Sequence, residues 1–363
     1  MARKTETKIK DYLLTHILDK PTNLPGRLVR ILLFILSCVY SFILGLRLYF
    51  YKYGILKSHK MQAKVISVGN MTLGGTGKTP LVEAIIRYLI IKKQKAAVIT
   101  RGYMGFETEQ GDILADEPKM LKDAFPEICV IINKDRIKAV ETAQEKSGVN
   151  VAVLDDALGN LKIHKDLDFV CIDTTNPFGS GYLLPRGILR LPFCYLQNAD
   201  IFVLTHCDLG KDNIGSVENI IRKYNKTALI CKSRHKPVSL YDFRLKKTYD
   251  LSVIKGKCVA LLCAIAKPEN FDKIVQGQGA RVEVRSFFCD HHNYKSEDLE
   301  HLFTQCRKHN ITSVITTAKD ESKLELILKD KYPEFEVLSL NIKLEIYEKE
   351  AEIFNRISGV LAA

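Results

Sequence analysis

Short apolar runs alternate with helical patterns along most of the chain after residue 64. Such runs are typical of strands buried on both faces of a parallel sheet, and the patterns between them predict the helices that cover those faces. The predicted strands are 65–68, 96–100, 129–132, 151–155, 169–173, 201–205 and 229–231, and the predicted helices include 80–93 and 136–146.

A second alternation follows a polar, basic stretch at 232–250. It predicts strands 259–263, 282–288 and 313–317, helices 268–276 and 296–309, and a final helix near 345–361. The expected fold class is therefore α/β, with two α/β/α domains separated by a cleft. The expected division is 1–60 for a basic N-terminal segment, 61–245 for the first α/β domain and 246–363 for a smaller domain that closes the cleft.

The N-terminal segment contains one continuous apolar run, Ile31–Leu46, which reads ILLFILSCVYSFILGL between Arg30 and Arg47. Sixteen helical residues extend about 24 Å, short of the roughly 30 Å of bilayer hydrocarbon. A cleaved signal peptide fits poorly, because about thirty residues with many charges precede the run. We expect a membrane-associated helix, either an anchor or an interfacial helix, with a buried core helix as the alternative.

The positive charge of the chain is concentrated at its N-terminus. The formal net charge is +12, and residues 1–64 hold twelve Lys or Arg against three Asp or Glu, which leaves +3 for the remainder. A basic segment around an apolar run suits an anionic membrane surface better than a nucleic acid groove. We expect an anionic membrane surface as a partner and no nucleic acid.

The ten cysteines are scattered, without a C-x-x-C pair or the paired spacing of a zinc site. This pattern favours a reduced, cytoplasmic compartment and cysteines that serve as small core residues.

The most informative segment is 65–80, which reads VISVGNMTLGGTGKTP, an apolar strand followed by a glycine loop and a helix. Backbone N–H groups of such a loop turn inward around phosphate oxygens, and the helix dipole adds positive potential. The segment predicts a P-loop NTPase-like domain that binds a nucleoside triphosphate, although threonine stands where the strict pattern has its first glycine; a plain glycine turn is the alternative. The predicted nucleotide-binding residues are Thr72, Gly74, Gly75, Thr76, Gly77, Lys78 and Thr79.

Two carboxylates follow the predicted strand VAVLDD. Asp155 and Asp156 are placed where a Walker B aspartate reaches Mg²⁺, and the Thr79 hydroxyl is a further expected ligand. The alternative is that one of the two aspartates caps the next helix or turn.

Other polar residues near strand ends are candidate functional residues, and each also has an alternative interpretation as a structural or surface residue. For Asp116 and Glu117 in ADEP the alternative is acid charge at a helix N-terminus. His291 and His292 follow the strand VRSFF, and for them the alternative is a surface position. Arginines suit phosphate groups, or else are solvated surface residues. The candidates for phosphate or substrate contacts are Arg101, Tyr103, Arg136, Arg186 and Arg190.

Seven motifs occur in the order and spacing of one family: GNMTLGGTGKTP, RGYMG, ADEP, LDD, LLPRGILR, CDHHNY and TTAKD. With them the chain resembles the tetraacyldisaccharide 4′-kinases from about Leu28 to Asp320. The resemblance implies a two-domain kinase with an N-terminal membrane-associated helix, ATP as cosubstrate and Mg²⁺. The implied reaction is phosphorylation of the 4′-hydroxyl of the lipid A disaccharide 1-phosphate precursor, which gives lipid IVA.

The resemblance also implies roles for residues. Asp116 and His291 would act together in removing the proton from the sugar hydroxyl, with His292 as a competitor, and Lys78 would be the third catalytic residue. The expected metal ligands are Thr79, Asp155, Asp156 and Glu117, and among the candidates above the expected substrate contacts are Arg101, Tyr103 and Arg136. The expected location is the bacterial inner membrane, with the catalytic domains facing the cytoplasm and no obligate protein partner.

Two stretches depart from the family pattern. The chain has LDDALGN where the family usually has LDDGFQH, and LRLP where it usually has LREP. With leucine at position 191, a nucleotide or metal contact from that position is no longer expected. We expect a divergent but active enzyme, because the chain retains Lys78, Thr79, Asp116, Asp155, Asp156 and His291.

The competing interpretation is a membrane-associated P-loop GTPase or ATPase that acts as a switch. Its support is IFVLTHCD, at 201–208, which is similar to the guanine-reading T-K-x-D. Histidine, however, stands in place of the lysine, and no D-x-x-G follows LDD. A noncatalytic scaffold that retains the nucleotide fold is a third interpretation.

Overall fold

The computed structural model describes residues 24–101, 116–290, 292–328 and 331–362. Nine α-helices lie in these ranges: α1 (Leu24–Lys52), α2 (Lys78–Ile91), α3 (Asp116–Ala124), α4 (Arg136–Ser147), α5 (Ile214–Tyr224), α6 (Pro268–Gly277), α7 (Ser296–Lys308), α8 (Ala318–Leu328) and α9 (Glu350–Ala362). They alternate with strands, as the sequence predicts.

The strands in these ranges are β1 (Lys64–Asn70), β2 (Ala96–Thr100), β3 (Cys129–Ile132), β4 (Val151–Asp155), β5 (Leu167–Asp173), β6 (Ile201–Thr205), β7 (Leu229–Asp242), β8 (Lys247–Tyr249), β9 (Cys258–Cys263), β10 (Arg281–Phe287), β11 (Ser313–Thr317) and β12 (Glu336–Glu348). The α/β fold class and its mostly parallel pairing are confirmed.

The stretch predicted to be a polar connection is instead strand. β7 continues to Asp242 and pairs with antiparallel β8, whereas the sequence predicts a strand only over 229–231. Over residues 234–239 of β7 exposed and partly buried residues alternate, so the hydrophobic run ends although the strand does not.

The described chain forms two compact units. The first unit comprises residues 24–101, 121–234 and 346–362, and the second unit comprises 116–120 and 235–345. This division differs from the predicted limits, because the chain returns to the first unit before α9. The ring of Tyr88 in α2 stacks on Phe354 in α9 at 4.4 Å, and its hydroxyl donates to the Phe354 carbonyl at 3.1 Å.

In the first unit the strand order is β7-β6-β5-β1-β4-β2-β3, and neighbouring strands pair in parallel. The apolar side chains of β1, β4 and β5 are almost fully buried, which follows from helices on both faces. Because the strands are parallel, the segments after β1, β4, β5 and β6 begin at one edge of the sheet, which is where ligands bind in such folds.

In the second unit the order is β10-β9-β11-β12, again parallel. Its core includes Phe303 and Leu299 of α7. The Asp320 carboxylate near the start of α8 accepts from the Thr317 hydroxyl at 2.7 Å and from the Ala264 backbone N–H at 3.1 Å, which ties α8 to the ends of β9 and β11.

Helix α1 is longer than the predicted apolar run. Its 29 residues extend about 43 Å, because the flanking basic and aromatic residues continue the helix, and by length and composition it is able to cross a membrane. One face packs on the first unit: Leu44 and Leu48 join its core, and the Ser37 hydroxyl donates to the Leu183 carbonyl at 2.9 Å. Other apolar residues of the helix are exposed, such as Phe42 at 72%. One face of α1 is therefore packed in the protein, as the core-helix alternative expects, and the other face is apolar and exposed.

Candidate active site

The loop between β1 and α2 has the backbone shape that its glycines allow. Gly74 and Gly77 have φ values of 98° and 79°, a region in which a side chain is strained. The loop is also fixed from outside, because the Leu73 N–H donates to the Ile188 carbonyl at 2.8 Å and Thr72 forms a β-bridge with Leu189. The structure therefore places the predicted nucleotide-binding residues 72–77 in this anchored loop and Lys78 and Thr79 at the start of α2.

Three charged side chains meet beside this loop. Both guanidinium Nη atoms of Arg190 donate to the two carboxylate oxygens of Asp156 at 3.0 Å, and the Nζ atom of Lys78 lies 3.8 Å from Asp156 Oδ1. Burial opposes ionisation of Asp156, but the charges of Lys78 and Arg190 outweigh it and hold the pKa of Asp156 below its usual value. Asp156 thus holds two cations at the place where phosphate oxygens are expected.

Arg190 has further contacts that fix its position. Its Nη1 atom lies 3.3 Å from Asn70 Oδ1, and its backbone N–H donates to the Met71 carbonyl at 2.7 Å. The Tyr40 hydroxyl of α1 donates to the Arg190 carbonyl at 3.4 Å. Sequence reasoning left Arg190 among several arginines of equal weight. The signal in the sequence was the position of Arg190 as the last residue of the LLPRGILR motif.

The second aspartate of the strand end is arranged differently. Asp155 is buried at the end of β4, and its carbonyl accepts from Arg136 Nη2 at 2.6 Å. Arg136, the first residue of α4, is itself buried; burial lowers the pKa of Arg136, and the charges of Asp155 and Asp156 oppose that shift. Arg136 therefore braces the strand end that carries Asp155, which is a structural contribution alongside the predicted contact with substrate.

The oxygens beside the loop suit Mg²⁺ bound together with a nucleotide. Within the described ranges no three His, Cys, Asp or Glu side chains are grouped so as to hold a metal ion alone. Mg²⁺ usually takes one or two carboxylates together with substrate phosphates and water, so this donor set is compatible with it. Asp155 and the Thr79 hydroxyl fit that role, whereas the oxygens of Asp156 are engaged by Arg190.

The strands on the other side of β1 hold the loop by hydrogen bonds. The Thr205 hydroxyl at the end of β6 donates to the Thr76 carbonyl at 3.0 Å, and the Thr174 hydroxyl donates to the His206 carbonyl at 2.8 Å. The Nδ1 atom of His206 lies 3.3 Å from Asp173 Oδ1, and both side chains are buried. The histidine of the T-x-x-D segment is thus held by Asp173 inside the protein.

Several predicted residues lie outside the described part of the chain. These are Tyr103, His291 and the side chains of Asp116 and Glu117, so their predicted roles stay predictions. Arg101 is exposed directly after β2.

The competitor His292 is described, and it has a structural partner. Its Nε2 atom lies 2.9 Å from Asp298 Oδ2, and its ring stacks on Phe288 at 4.5 Å. Burial opposes ionisation of Asp298, but its bond with His292 contributes to lowering the pKa of Asp298. The neighbouring Asp290 carboxylate accepts from Lys319 Nζ at 3.0 Å. His292 is therefore fixed to the start of α7.

The two departures from the family pattern lie against each other. Leu158 and Leu191 are both buried, and a Cβ atom added at Gly159 would lie 3.3 Å from Leu191 Cδ2. Leu158 also packs so closely on Gly69 that a side chain there would overlap it. Where the family usually has a polar residue at 159 and at 191, this chain has Gly159 and Leu191, and the two positions are neighbours. The side chain at position 191 therefore contributes to packing in this chain.

Comparisons with known proteins identify the family of the chain. The chain matches the model of the tetraacyldisaccharide-1-P 4'-kinase family over residues 29–362. It is 30% identical over 347 residues to the tetraacyldisaccharide 4'-kinase of Halothermothrix orenii, covering 89% of this chain and 90% of the relative. It is 32% identical over 315 residues to that of Geobacter metallireducens, covering 83% and 90%.

A solved structure is also similar. The ATP complex of LpxK from Aquifex aeolicus aligns with a TM-score of 0.69 and 25% identity, covering 92% of this chain and 99% of that one.

Proposed function

Because the chain belongs to the tetraacyldisaccharide-1-P 4'-kinase family, we propose that it transfers the γ-phosphoryl group of ATP to the 4′-hydroxyl of the tetraacyldisaccharide 1-phosphate precursor of lipid A. The structural observation that carries this proposal is the cluster of Lys78, Asp156 and Arg190 beside the P-loop. Phosphoryl transfer needs fixed positive charge around the transferred group more than it needs covalent chemistry from the protein.

The cluster supplies that charge in a preorganised form. Asp156 holds Lys78 and Arg190 beside the loop, so both cations are in place when the triphosphate arrives. Phosphate oxygens then compete with Asp156 for the two cations. Cations that are already oriented need little reorganisation as negative charge shifts during transfer, and this is the largest contribution such sites usually make.

Mg²⁺ would be held by Asp155 and the Thr79 hydroxyl together with the nucleotide. The ion would neutralise charge on the β- and γ-phosphates. The sequence also proposes Glu117 and Asp156 as ligands; Asp156 serves this role only if it releases Arg190.

For proton removal from the sugar hydroxyl we retain the pair of Asp116 and His291. A carboxylate beside an imidazole fixes its tautomer and raises its basicity, which suits a general base near neutral pH. Arg101 and Tyr103 are retained as contacts to the acceptor.

The pair is testable with a matched control. His291→Ala should slow transfer about 10²-fold or more while ATP affinity is unchanged, because a general base acts on the acceptor alone. His292→Ala should lower thermal stability and leave the chemical step intact, since His292 binds Asp298. The opposite outcome, inactive His292→Ala and active His291→Ala, would reassign the base.

We further propose that α1 places the enzyme at the bacterial inner membrane, with both units on the cytoplasmic side. Support comes from the exposed apolar residues of α1 and from the basic side chains at its two ends, Arg27 and Arg30 before the apolar run and Arg47 and Lys52 after it. The sequence has no Asp or Glu between residues 20 and 64. Such a segment suits anionic lipid headgroups.

The direct test is a transfer assay. Purified protein, Mg-ATP and tetraacyldisaccharide 1-phosphate are incubated in detergent, and the lipid is examined by mass spectrometry for one added phosphate. A product with one added phosphate is expected. An unmodified lipid, across several acyl chain lengths and with ATP shown to be bound, would exclude the kinase proposal.

A further inference from the structure

Asn70, the last residue of β1, has a side-chain amide that is bonded at both ends. The residue is 1% exposed. Its Nδ2 atom donates to the Thr72 carbonyl at 2.8 Å, and its Oδ1 atom accepts from Arg190 Nη1 at 3.3 Å. One buried side chain therefore connects the first part of the P-loop with the guanidinium group beside it.

The chemistry of the two partners fixes which way this amide faces. A guanidinium offers only donors and a peptide carbonyl only accepts, so Oδ1 faces Arg190 and Nδ2 faces Thr72. Aspartate has the same shape but lacks the donor, and leucine has a similar size but lacks both groups. Among side chains of this size, asparagine is therefore the one suited to join this cation to this carbonyl.

The side chain of Arg190 needs such partners, because its main chain alone does not orient it. The backbone N–H of Arg190 donates to the Met71 carbonyl at 2.7 Å, which fixes the main chain against the P-loop. That bond leaves the rotamers of the long side chain open, and fixing them has an entropic cost. The guanidinium is oriented by its bonds to the side chains of Asp156 and Asn70.

These two partners of the guanidinium differ in charge and in exposure. The side chain of Asp156 is charged and 35% exposed, so phosphate oxygens can compete with its carboxylate for Arg190. Asn70 is neutral and buried, so it holds Nη1 without cancelling the positive charge that a phosphate group needs. Its contact is therefore the one that persists when the contact with Asp156 is exchanged, and a cation that stays oriented stabilises transferred charge best.

We propose that Asn70 is a positioning residue for phosphoryl transfer, which holds Arg190 against the P-loop while phosphate oxygens replace Asp156 as partners of the guanidinium. The inference rests on the proposed function. Asn70 acts through Arg190, so removing its amide slows transfer only while Arg190 is present. A purely structural role of Asn70, through its bond to Thr72, would instead lower the rate by the same factor whether or not Arg190 is present.

The test is a double-mutant cycle on the turnover number at saturating Mg-ATP and acceptor lipid, with Asn70→Leu, Arg190→Met and the double variant. Asn70→Leu alone should lower turnover about 10-fold, because a misplaced charged group loses much of its effect. In the Arg190→Met background the same substitution should cost less than about 2-fold, since residues that act as a unit are not additive. Thermal melting checks folding, and Asn70→Ser replaces Asn70→Leu in both backgrounds where leucine prevents it.

The matched control is Asn225→Leu, the same substitution at another buried amide of the first unit. The Asn225 Nδ2 atom donates to the Ala199 carbonyl at 2.8 Å, and its Oδ1 atom accepts from the Ala228 N–H at 3.0 Å. Asn225→Leu should lower the melting temperature and leave turnover unchanged, because these bonds do not involve the P-loop or Arg190.

A second readout does not depend on catalysis. Phenylglyoxal modifies arginine side chains, and peptide mass spectrometry gives the rate at each arginine, with Arg186 as the reference on the same segment. Asn70→Leu should increase the rate at Arg190 several-fold relative to Arg186, whereas Asn225→Leu should not. Equal relative losses of turnover in the two backgrounds, or an unchanged rate of modification at Arg190, would overturn the proposal. Faster modification together with an unsubstituted protein that phosphorylates no lipid would instead contradict the proposed function.

Discussion

The two sides of strand β1 differ in how they use polar side chains. On the β4 side, Lys78, Asp156 and Arg190 form a charged cluster whose side chains are 17%, 35% and 33% exposed. On the β5 and β6 side, Asp173 and His206 are paired with side-chain exposures of 1% and 7%, and Thr205 holds the P-loop carbonyl of Thr76.

The difference indicates that side chains on the β4 side take part in the reaction, whereas those on the β5 and β6 side stabilise the fold. Partly exposed charges can exchange an internal partner for a phosphate, whereas buried polar groups with fixed partners keep a backbone in place. We therefore expect substitutions on the β4 side to reduce phosphoryl transfer, and substitutions on the β5 and β6 side to reduce stability first.

The largest effect is expected from Lys78→Ala. The γ-phosphoryl group then loses the cation supplied by the P-loop itself, and turnover should fall by about 10²-fold or more, as for loss of a preorganised electrostatic contact. Initial rates at saturating ATP and acceptor measure this. Normal turnover would mean that the P-loop is not the phosphate site.

The next largest effect is expected from Arg190→Met, which removes the bidentate partner of Asp156. Transfer should fall on the order of 10²-fold. Arg190→Lys should restore only part of the rate, because a lysine keeps the charge and lacks the fork. Arg186→Met on the same segment is the control, since that guanidinium lies over the Tyr182 ring at 4.7 Å. Equal losses for Arg186→Met and Arg190→Met would remove the special role of Arg190.

On the supporting side, Thr205→Val keeps the shape of the side chain and removes the bond to Thr76. The free energy of unfolding should fall by about 1–2 kcal/mol, because the buried Thr76 carbonyl loses its partner. The turnover number should change less than 3-fold, which corresponds to a change of less than roughly 0.6 kcal/mol in activation free energy. Thr142→Val on the exposed surface of α4 is the control. A large loss of turnover at unchanged stability would contradict the division between the two sides.

The smallest effect concerns acid stability. The folded pKa of Asp156 lies below its unfolded value of about 4. Its contribution to stability is therefore complete above that unfolded value and is lost as pH falls through the lower folded pKa. Asp156→Asn should flatten the dependence of unfolding free energy on pH below about 4, measured by denaturant titration at several pH values. An unchanged pH dependence would mean that Asp156 is not held by the two cations.

Sequence predicted those parts of the site that depend on strand order and local pattern. The P-loop, Asp155 and the T-x-x-D segment each directly follow an apolar run, and a parallel sheet brings such positions to one edge. The pairing of Arg190 with Asp156 was beyond pattern reasoning, because 34 residues separate them and the contact depends on how 183–190 folds against the P-loop.

Helix α1 and the family departures show the same limit. A helix that is apolar on every side has no hydrophobic periodicity, so its sequence does not predict which face packs on the protein. Leu44 and Leu48 are distinguished from the other apolar residues of the helix only by their contacts in the structure. In the sequence the substitutions at 159 and 191 are two separate losses, whereas in the structure the two positions are neighbours, because a Cβ atom added at Gly159 would meet the Leu191 side chain.

The charged cluster on the β4 side is proposed to support phosphoryl transfer to a lipid acceptor, and not the nucleotide hydrolysis of a switch protein. The most direct measurement is ADP release by the purified protein with Mg-ATP, in detergent alone and with tetraacyldisaccharide 1-phosphate. The account predicts that ADP forms only with the acceptor and in equal molar amount to the newly phosphorylated lipid. ADP release at the same rate without acceptor, and no phosphorylated lipid when it is present, would contradict it.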